Sequence, residues 1–259
     1  MPPHPYRDGY RLTPQLKKIS HQSIFNATDD DRSRLIAAKQ QIPDDQLWYA
    51  ESDCPEQLKR DVMQFIRNAS PDALPSTASL SEVAPYLAED FVIHRQVEDS
   101  DRMVFAAVML PTGWRPQEKL GLSFREIHSV IPGMDLTRSE SLVEAVIQGG
   151  PFERYVWGVR FSSCLNDHPN RPRVGFDPEH PTVYIKLERQ VTVGFPDHAA
   201  LLFLIRQDIL PPESIDRPAL VHTLRSMTAE QIAYKGLTDD LENLLEWLDG
   251  KSSGPLPSP

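Results

Sequence analysis

The sequence has only two cysteines, Cys54 and Cys164, in 259 residues. They are far apart and neither belongs to a CxxC pair, so the chain lacks the cysteine pattern of a disulfide framework and of a cysteine-ligated zinc or iron–sulfur site. It also lacks a run of about 18 apolar residues and the basic-then-apolar order of a signal peptide. These absences predict a cytoplasmic protein without a membrane partner.

Basic residues are in deficit. Lys and Arg total 27 against 37 Asp and Glu, which gives a formal net charge of −10. A surface with this excess of negative charge repels nucleic-acid phosphates and anionic lipid headgroups. We therefore expect neither nucleic acid nor a membrane surface as a partner.

Several motifs of common enzyme classes are also missing. The sequence has no GxSxG nucleophile elbow, no GxxxxGK[ST] phosphate loop and no GxGxxG turn. It has no HExxH or other compact metal-ligand spacing. These absences disfavour nucleotide-driven chemistry and a compact non-haem metal centre, although His94, His128 and Glu188 still offer ligands that the fold has to bring together.

The first 90 residues are mainly helical in pattern. Thr28 and Asp29 are suitable caps for a helix that ends near Gln41. Pro55 favours the start of a second helix, because the first turn of a helix does not use its N–H groups. A third and shorter helix is predicted within residues 79–89.

Strand-like segments occupy residues 91–210, and helices return within residues 211–250. Two of these segments flank the acidic turn from Glu98 to Asp101, which is typical of a β-hairpin. At the C-terminal end, Asp216 and Thr238 are the predicted helix caps. This order predicts an α+β fold with an antiparallel sheet of about five strands and flanking helices. Residues 251–259 have the composition of a disordered tail.

One histidine lies within GLSFREIHSVIPG, which runs from Gly121 to Gly133. Ser123 and Glu126 have the spacing of a capping box, so a short helix is predicted from Phe124. On that helix His128 shares the apolar face. A desolvated imidazole needs partners for its nitrogens, and two kinds are open: a carbonyl or carboxylate in the core, or a haem iron that takes one axial ligand.

Other residues compete for that role. His94, on a predicted strand, is the main rival among the histidines. A thiolate ligand from Cys164 or Cys54 is a further alternative, although a free cysteine is usually a small buried apolar residue.

The segment VYIKLERQVTVGF alternates between apolar and polar residues from Val183 onwards, as a half-buried strand does. Its polar row contains Glu188, and Arg189 interrupts the apolar row. One interpretation places the polar row in water. The other places it along a cavity in which Glu188 acts as a base, with Arg189 free to pair with an anionic group such as a propionate.

Three segments together resemble the haem-dependent oxidative N-demethylase family, of the α-subunit-like type. They are PTGWRPQEKLGLSFREIHSVIPG from Pro111, LERQVTVGFP from Leu187 and MTAEQIAYKGL from Met227. The resemblance covers roughly residues 111–248, and the order and spacing of the three motifs make it more specific than any one motif.

This resemblance implies a single haem-binding domain over residues 1–250 with a PAS-like core over about 91–210. It also implies haem b as cofactor and the oxidation of a small secondary amine such as dimethylamine by dioxygen, with release of formaldehyde. The electrons would come from NAD(P)H through a flavin and iron–sulfur reductase subunit. By position, His128 matches the proximal haem ligand and Glu188 the distal base, while Lys119 and Arg189 are the basic residues expected to meet the propionates.

The sequence departs from the family pattern at Arg160 and Phe161, where the family leads us to expect Asn-Trp. Because this departure can reshape the pocket, the amine itself stays open. A non-catalytic PAS-type sensor of haem, gas or another ligand is the alternative function, and a protein without haem is a third.

Overall fold

The computed structural model describes residues 5–7, 9–13 and 15–250. The predicted tail, residues 251–259, lies outside the described residues. In chain order the elements are β1 (Lys17–Lys18), α1 (Asp29–Lys39), β2 (Tyr49–Glu51), α2 (Glu56–Ala69), β3 (Asp90–Val97), β4 (Ser100–Ala107), α3 (Pro116–Lys119), α4 (Phe124–His128), α5 (Ser139–Gly149), β5 (Phe152–Arg160), β6 (Tyr184–Phe195), β7 (Ala200–Leu210), α6 (Arg217–Ser226), α7 (Ala229–Lys235) and α8 (Leu241–Leu248).

The seven strands form one sheet in the order β1-β5-β6-β7-β3-β4-β2, and every neighbouring pair is antiparallel. This arrangement confirms the predicted α+β fold with a sheet core and the predicted hairpin of β3 and β4. Five of the strands are long. The remaining two, β1 and β2, are short and occupy the edges. None of the described helices combines the length and the apolar character needed to cross a lipid bilayer.

Local capping signals place several helices as predicted. The Thr28 side chain accepts a hydrogen bond from the Asp31 N–H at the start of α1. Pro55 is the N-cap of α2. The Asp216 side chain accepts from the Ala219 N–H at the start of α6. In each case a short polar side chain or a proline satisfies or removes a backbone donor that the first helical turn leaves unpaired.

Two predicted helix positions are wrong. Residues 79–89 contain only a 3₁₀ turn, Ala84–Tyr86, with Pro85 inside it. Proline fixes its own φ and hinders helical geometry in the residue before it, so the turn does not extend. Thr238 does not cap α8, because that helix begins at Leu241 with Asp240 at the N-cap position.

One face of β6 carries the main core, and we call it the helix-covered face. Val191 and Val193 pack in the same apolar cluster as the buried residues of α2. Ile185 and Leu187 pack in a second cluster with the buried residues of α6 and α8. The helices at both ends of the chain therefore cover the same side of the sheet.

Arg189 lies in this apolar row and is only 1% exposed. Its Nε donates to Glu153 Oε1 at 2.6 Å, and its two Nη atoms donate to the carbonyl oxygens of Ile24 (2.7 Å) and Ser23 (2.6 Å). A buried guanidinium is tolerated only with such partners. Arg189 therefore links the N-terminal segment around Ser23 and Ile24 to the central strand β6 through hydrogen bonds.

Gly194 lies on the opposite face of β6, where α5 approaches backbone to backbone. A Cβ at this position would lie 1.9 Å from the Ile147 carbonyl oxygen and 2.7 Å from its carbonyl carbon. We expect Gly194→Ala to lower the free energy of unfolding by about 3 kcal/mol, because the helix must move away from the strand. Chemical denaturation measures this change.

Gly149→Ala is the matched control. A Cβ at Gly149, the last residue of α5, meets only the Phe152 ring at 3.6 Å, which is an ordinary contact. Its effect should stay within about 1 kcal/mol. Equal stabilities of the two variants would show that α5 does not press on β6 at Gly194.

Candidate functional site

The opposite side of the sheet is incompletely covered, and we call it the open face. It comprises the β6 residues Lys186, Glu188, Gln190, Thr192 and Gly194 together with their register partners on β5 and β7. At one end α5 covers Gly194, and at the other end Lys186 donates to the Leu165 carbonyl oxygen at 2.7 Å. Between these ends several side chains remain partly exposed, although they belong to inner strands: Glu188, Thr192, Arg154, Val156 and Phe203. The middle of the open face is therefore only partly covered, and we call it the recess.

Glu188 is held in this recess by two amides. Gln190 Nε2 donates to Glu188 Oε2 at 2.8 Å, and Gln207 Nε2 donates to Glu188 Oε1 at 3.3 Å. Arg154 Nε donates to Gln190 Oε1 at 2.6 Å. Because the guanidinium can only donate, it fixes the orientation of the Gln190 amide so that its NH₂ group faces the carboxylate. Glu188 is thereby an oriented acceptor with lone pairs left for a ligand.

The short helix α4 has the predicted capping box. Ser123 Oγ accepts from the Glu126 N–H at 3.2 Å, and the Glu126 carboxylate accepts from the Ser123 N–H at 2.8 Å. Asp101 also connects α4 to the sheet. Its Oδ2 lies 2.7 Å from His94 Nδ1 and accepts from the Phe124 N–H at 2.8 Å. These contacts fix the helix that carries His128.

The His128 imidazole is partly exposed, and its two nitrogens have different surroundings. Nδ1 lies 2.7 Å from the Phe124 carbonyl oxygen, and the ring stacks on Phe124 with 4.0 Å between centroids. A carbonyl only accepts, so Nδ1 carries the proton and Nε2 keeps its lone pair. Burial, reinforced by the charges of Arg154 and Lys119, lowers the His128 pKa to about 4, although the bond to Phe124 opposes this shift. A neutral imidazole with a fixed Nδ1–H is the form that binds a metal.

The two candidate groups face the recess from different positions along β6. Phe124 of α4 packs in a cluster with Phe152 and Phe203, which are the register partners of Thr192. Glu188 lies four residues from Thr192, which corresponds to roughly 13 Å along a strand. The walls between them include the partly exposed apolar side chains Val156 and Phe203. A neutral imidazole, a carboxylate and partly exposed apolar side chains are the kinds of group that a haem site uses.

The other predicted site residues lie in two places. Lys119, at the end of α3, is partly exposed and close enough to His128 for its charge to lower the His128 pKa. Arg189 lies on the helix-covered face, and the pairing of β6 with both neighbours runs without a bulge. The structure therefore places Arg189 on the opposite side of β6 from Glu188, and Lys119 at the end of α3 rather than on the strands of the open face.

The alternative ligands have other surroundings. His94 is buried and directed to Asp101. Cys54 packs in the apolar cluster with α2, and burial raises its pKa to about 12, which disfavours the thiolate. Cys164 Sγ lies 3.4 Å from the Asn166 carbonyl oxygen. Within residues 5–7, 9–13 and 15–250, no three His, Cys, Asp or Glu side chains form a group that could hold a metal ion.

Three residues of the recess were not among the predicted site residues: Arg154, Gln190 and Gln207. Gln190 belongs to the polar row of β6, so strand alternation alone indicates its side. Arg154 and Gln207 come from β5 and β7 and reach the recess only through the register of those strands. A fourth neighbour is Tyr234 of α7, whose pKa is raised by burial and by the Glu188 charge, with Arg154 opposing.

We expect the haem-free protein to lose about 2 kcal/mol of stability through His128 between pH 6.5 and pH 4.5. The imidazole titrates near pH 6.5 in the unfolded chain and near pH 4 in the folded one. Between these values the unfolded chain binds a proton that the folded chain does not, so acid favours unfolding. Denaturation of wild type and His128→Gln at pH 7 and pH 4.5 measures this contribution. A stability difference between the two proteins that stays the same at both pH values would contradict it.

These features define an α+β protein with a neutral imidazole and an oriented carboxylate on the open face of its central sheet. The chain belongs to the family described as haem-dependent oxidative N-demethylase, alpha subunit-like, whose family model matches residues 33–245. This match confirms the resemblance found in the sequence and includes both His128 and Glu188. It assigns the protein to haem-dependent oxidoreductases, and the alpha-subunit description implies a partner subunit.

Proposed function

We propose that the protein is a haem-dependent oxidative N-demethylase-like monooxygenase. It uses dioxygen to remove an N-methyl group from a small secondary amine such as dimethylamine and releases formaldehyde. The observation that supports this proposal is that the neutral His128 imidazole and the oriented Glu188 carboxylate lie on the same side of the sheet.

His128 Nε2 would hold the iron of haem b, and the apolar side chains of the recess would hold the macrocycle. The five long antiparallel strands, with α3, α4 and α5 inserted after the first two, support a PAS-like core around this site. When bound, haem supplies the iron chemistry that activates dioxygen. Glu188 and the two amides that hold it serve to bind and orient the amine.

Glu188 recognises the amine. A small alkylamine carries a positive charge at neutral pH, as the lysine ammonium does. The Glu188 carboxylate pairs with this ammonium and accepts its proton, which frees the nitrogen lone pair for oxidation at the adjacent methyl carbon. The amides of Gln190 and Gln207 hold the carboxylate in the orientation that this transfer needs.

The overall reaction requires two electrons, so the protein needs an electron donor. Dimethylamine, dioxygen, two electrons and two protons give methylamine, formaldehyde and water, so one oxygen atom leaves in formaldehyde and the other in water. We propose that the two electrons come from NAD(P)H through a flavin and iron–sulfur reductase subunit. The alpha-subunit description of the family supports a partner of this kind.

The test uses the full chain loaded with haem, a chemical reductant with a redox mediator, dioxygen and dimethylamine. We expect formaldehyde and methylamine in equal amounts, with catalase present to remove peroxide from uncoupled reduction. Diethylamine, which has no N-methyl group, is the matched control and should give no formaldehyde. Haem and gas binding without formaldehyde release would contradict the enzyme and favour a sensor.

A further inference from the structure

We propose that Arg154 is the anion anchor of the recess and binds a propionate of the haem, a role that the sequence assigned to Arg189. This inference rests on the proposed function, because it requires haem in the recess. It adds a ligand contact that neither the sequence pattern nor the family description supplies.

Arg154 has few polar partners of its own. It lies on β5 opposite Gln190, and its Nε donates to Gln190 Oε1 at 2.6 Å. In the described part of the chain no carboxylate lies within ion-pair distance of the guanidinium, and neither Nη atom has a hydrogen-bond partner. Four N–H donors of Arg154 are therefore available to the recess.

Two other arginines of the inner strands have fuller sets of partners. Arg189 uses its Nε and both Nη atoms on Glu153 and two carbonyl oxygens. Arg206 donates to Asn26 Oδ1 at 2.8 Å and has Asp208 at 3.6 Å. Burial lowers the Arg154 pKa, with Glu188 opposing, as expected for a cation that lacks a counter-charge of its own. A carboxylate bound by two parallel N–H groups is the partner that a guanidinium fork fits best.

The position of Arg154 points to the cofactor as the source of that carboxylate. Its register partner Gln190 lies halfway between Thr192, beneath α4, and Glu188. A group that spans the recess from His128 to Glu188 therefore passes Arg154. Glu188 cannot take this role, because the Gln190 amide stands between the two side chains.

The experiment compares haem with haem dimethyl ester, in which both propionates are uncharged. Haem-free wild type and Arg154→Gln are titrated with each porphyrin, and the Soret band gives the dissociation constants. We expect Arg154→Gln to weaken haem binding roughly tenfold to a hundredfold, the range for hydrogen bonds to a charged group. Its affinity for the ester should stay within about threefold of wild type. Wild type should prefer haem over the ester, and the variant should lose most of this preference.

Two further variants keep the result interpretable. Arg154→Lys keeps the charge but not the fork, and it should recover part of the preference for haem. Arg60→Gln removes a charge from the exposed side of α2, where the Arg60 guanidinium donates to Gln57 Oε1, and it should leave both affinities unchanged. Circular dichroism shows whether each variant is folded.

Equal weakening of haem and ester binding by both Arg154 variants would overturn the proposal, as would unchanged haem binding. A wild type that binds neither porphyrin would overturn both this proposal and the proposed function. A wild type that distinguishes haem from its ester through Arg154, yet gives no formaldehyde, would contradict the proposed function alone.

Discussion

Replacing His128 by alanine is expected to leave protein produced with a haem precursor without its Soret band. The imidazole is the single ligand that we assign to the iron, and its Nε2 has no other partner among the described residues. Loss of an outer partner of a ligand already costs roughly tenfold to a hundredfold in metal affinity, so loss of the ligand itself should cost more. The visible spectrum and a haem titration measure the effect.

Two controls accompany this experiment: added imidazole and a variant of an exposed histidine. Added imidazole should restore part of the haem binding of His128→Ala, because it can occupy the space left by the side chain. His180→Ala removes an imidazole that is 83% exposed and should leave the spectrum unchanged. An intense Soret band in His128→Ala would move the ligand elsewhere, with His94 and Cys164 next in order.

Replacing Glu188 by glutamine is expected to keep the haem and to lower kcat/KM for the amine by roughly 10²–10⁴-fold, the range for a general base. The amide has the same shape as the carboxylate but cannot attract the ammonium or accept its proton. Formaldehyde release measures the rate, and the Soret band shows that the cofactor is still bound.

The dependence on pH separates this role from a purely structural one. At high pH more of the amine is neutral, so the Glu188→Gln protein should recover part of its activity relative to wild type. Glu179→Gln, which removes one negative charge at an exposed position, is the control for the altered charge. A Glu188→Gln enzyme with unchanged kcat/KM at neutral pH would remove Glu188 from the reaction.

The features that could be predicted from the sequence depend on interactions between residues close together in the chain. Ser123 and Glu126 form their capping box with backbone groups three residues away, so α4 and the position of His128 follow from local chemistry. The acidic turn between β3 and β4 is equally local. By contrast, α5 has no counterpart among the predicted elements, and the short edge strands β1 and β2 exist only because β5 and β4 offer free edges.

The candidate site likewise combines features that follow from local sequence with features that depend on distant segments. Glu188 stands out because strand alternation puts it in a polar row, and that row faces the recess. The same alternation places Arg189 on the other side of β6, where Glu153 and two distant carbonyls surround it. Arg154 has no distinguishing pattern in its own strand. It reaches the recess through the register of β5 against β6, in which its partner Gln190 lies 36 residues away in sequence.

The way in which Arg189 holds Ser23 and Ile24 limits how far the protein can be shortened. The family match starts at residue 33, ten residues after Ser23. A fragment trimmed to that boundary would strip two acceptors from a charge that water cannot reach, at a cost of about 3 kcal/mol or more. Since a whole domain is stable by only about 5–15 kcal/mol, the smallest autonomous folding unit should begin upstream of Ser23.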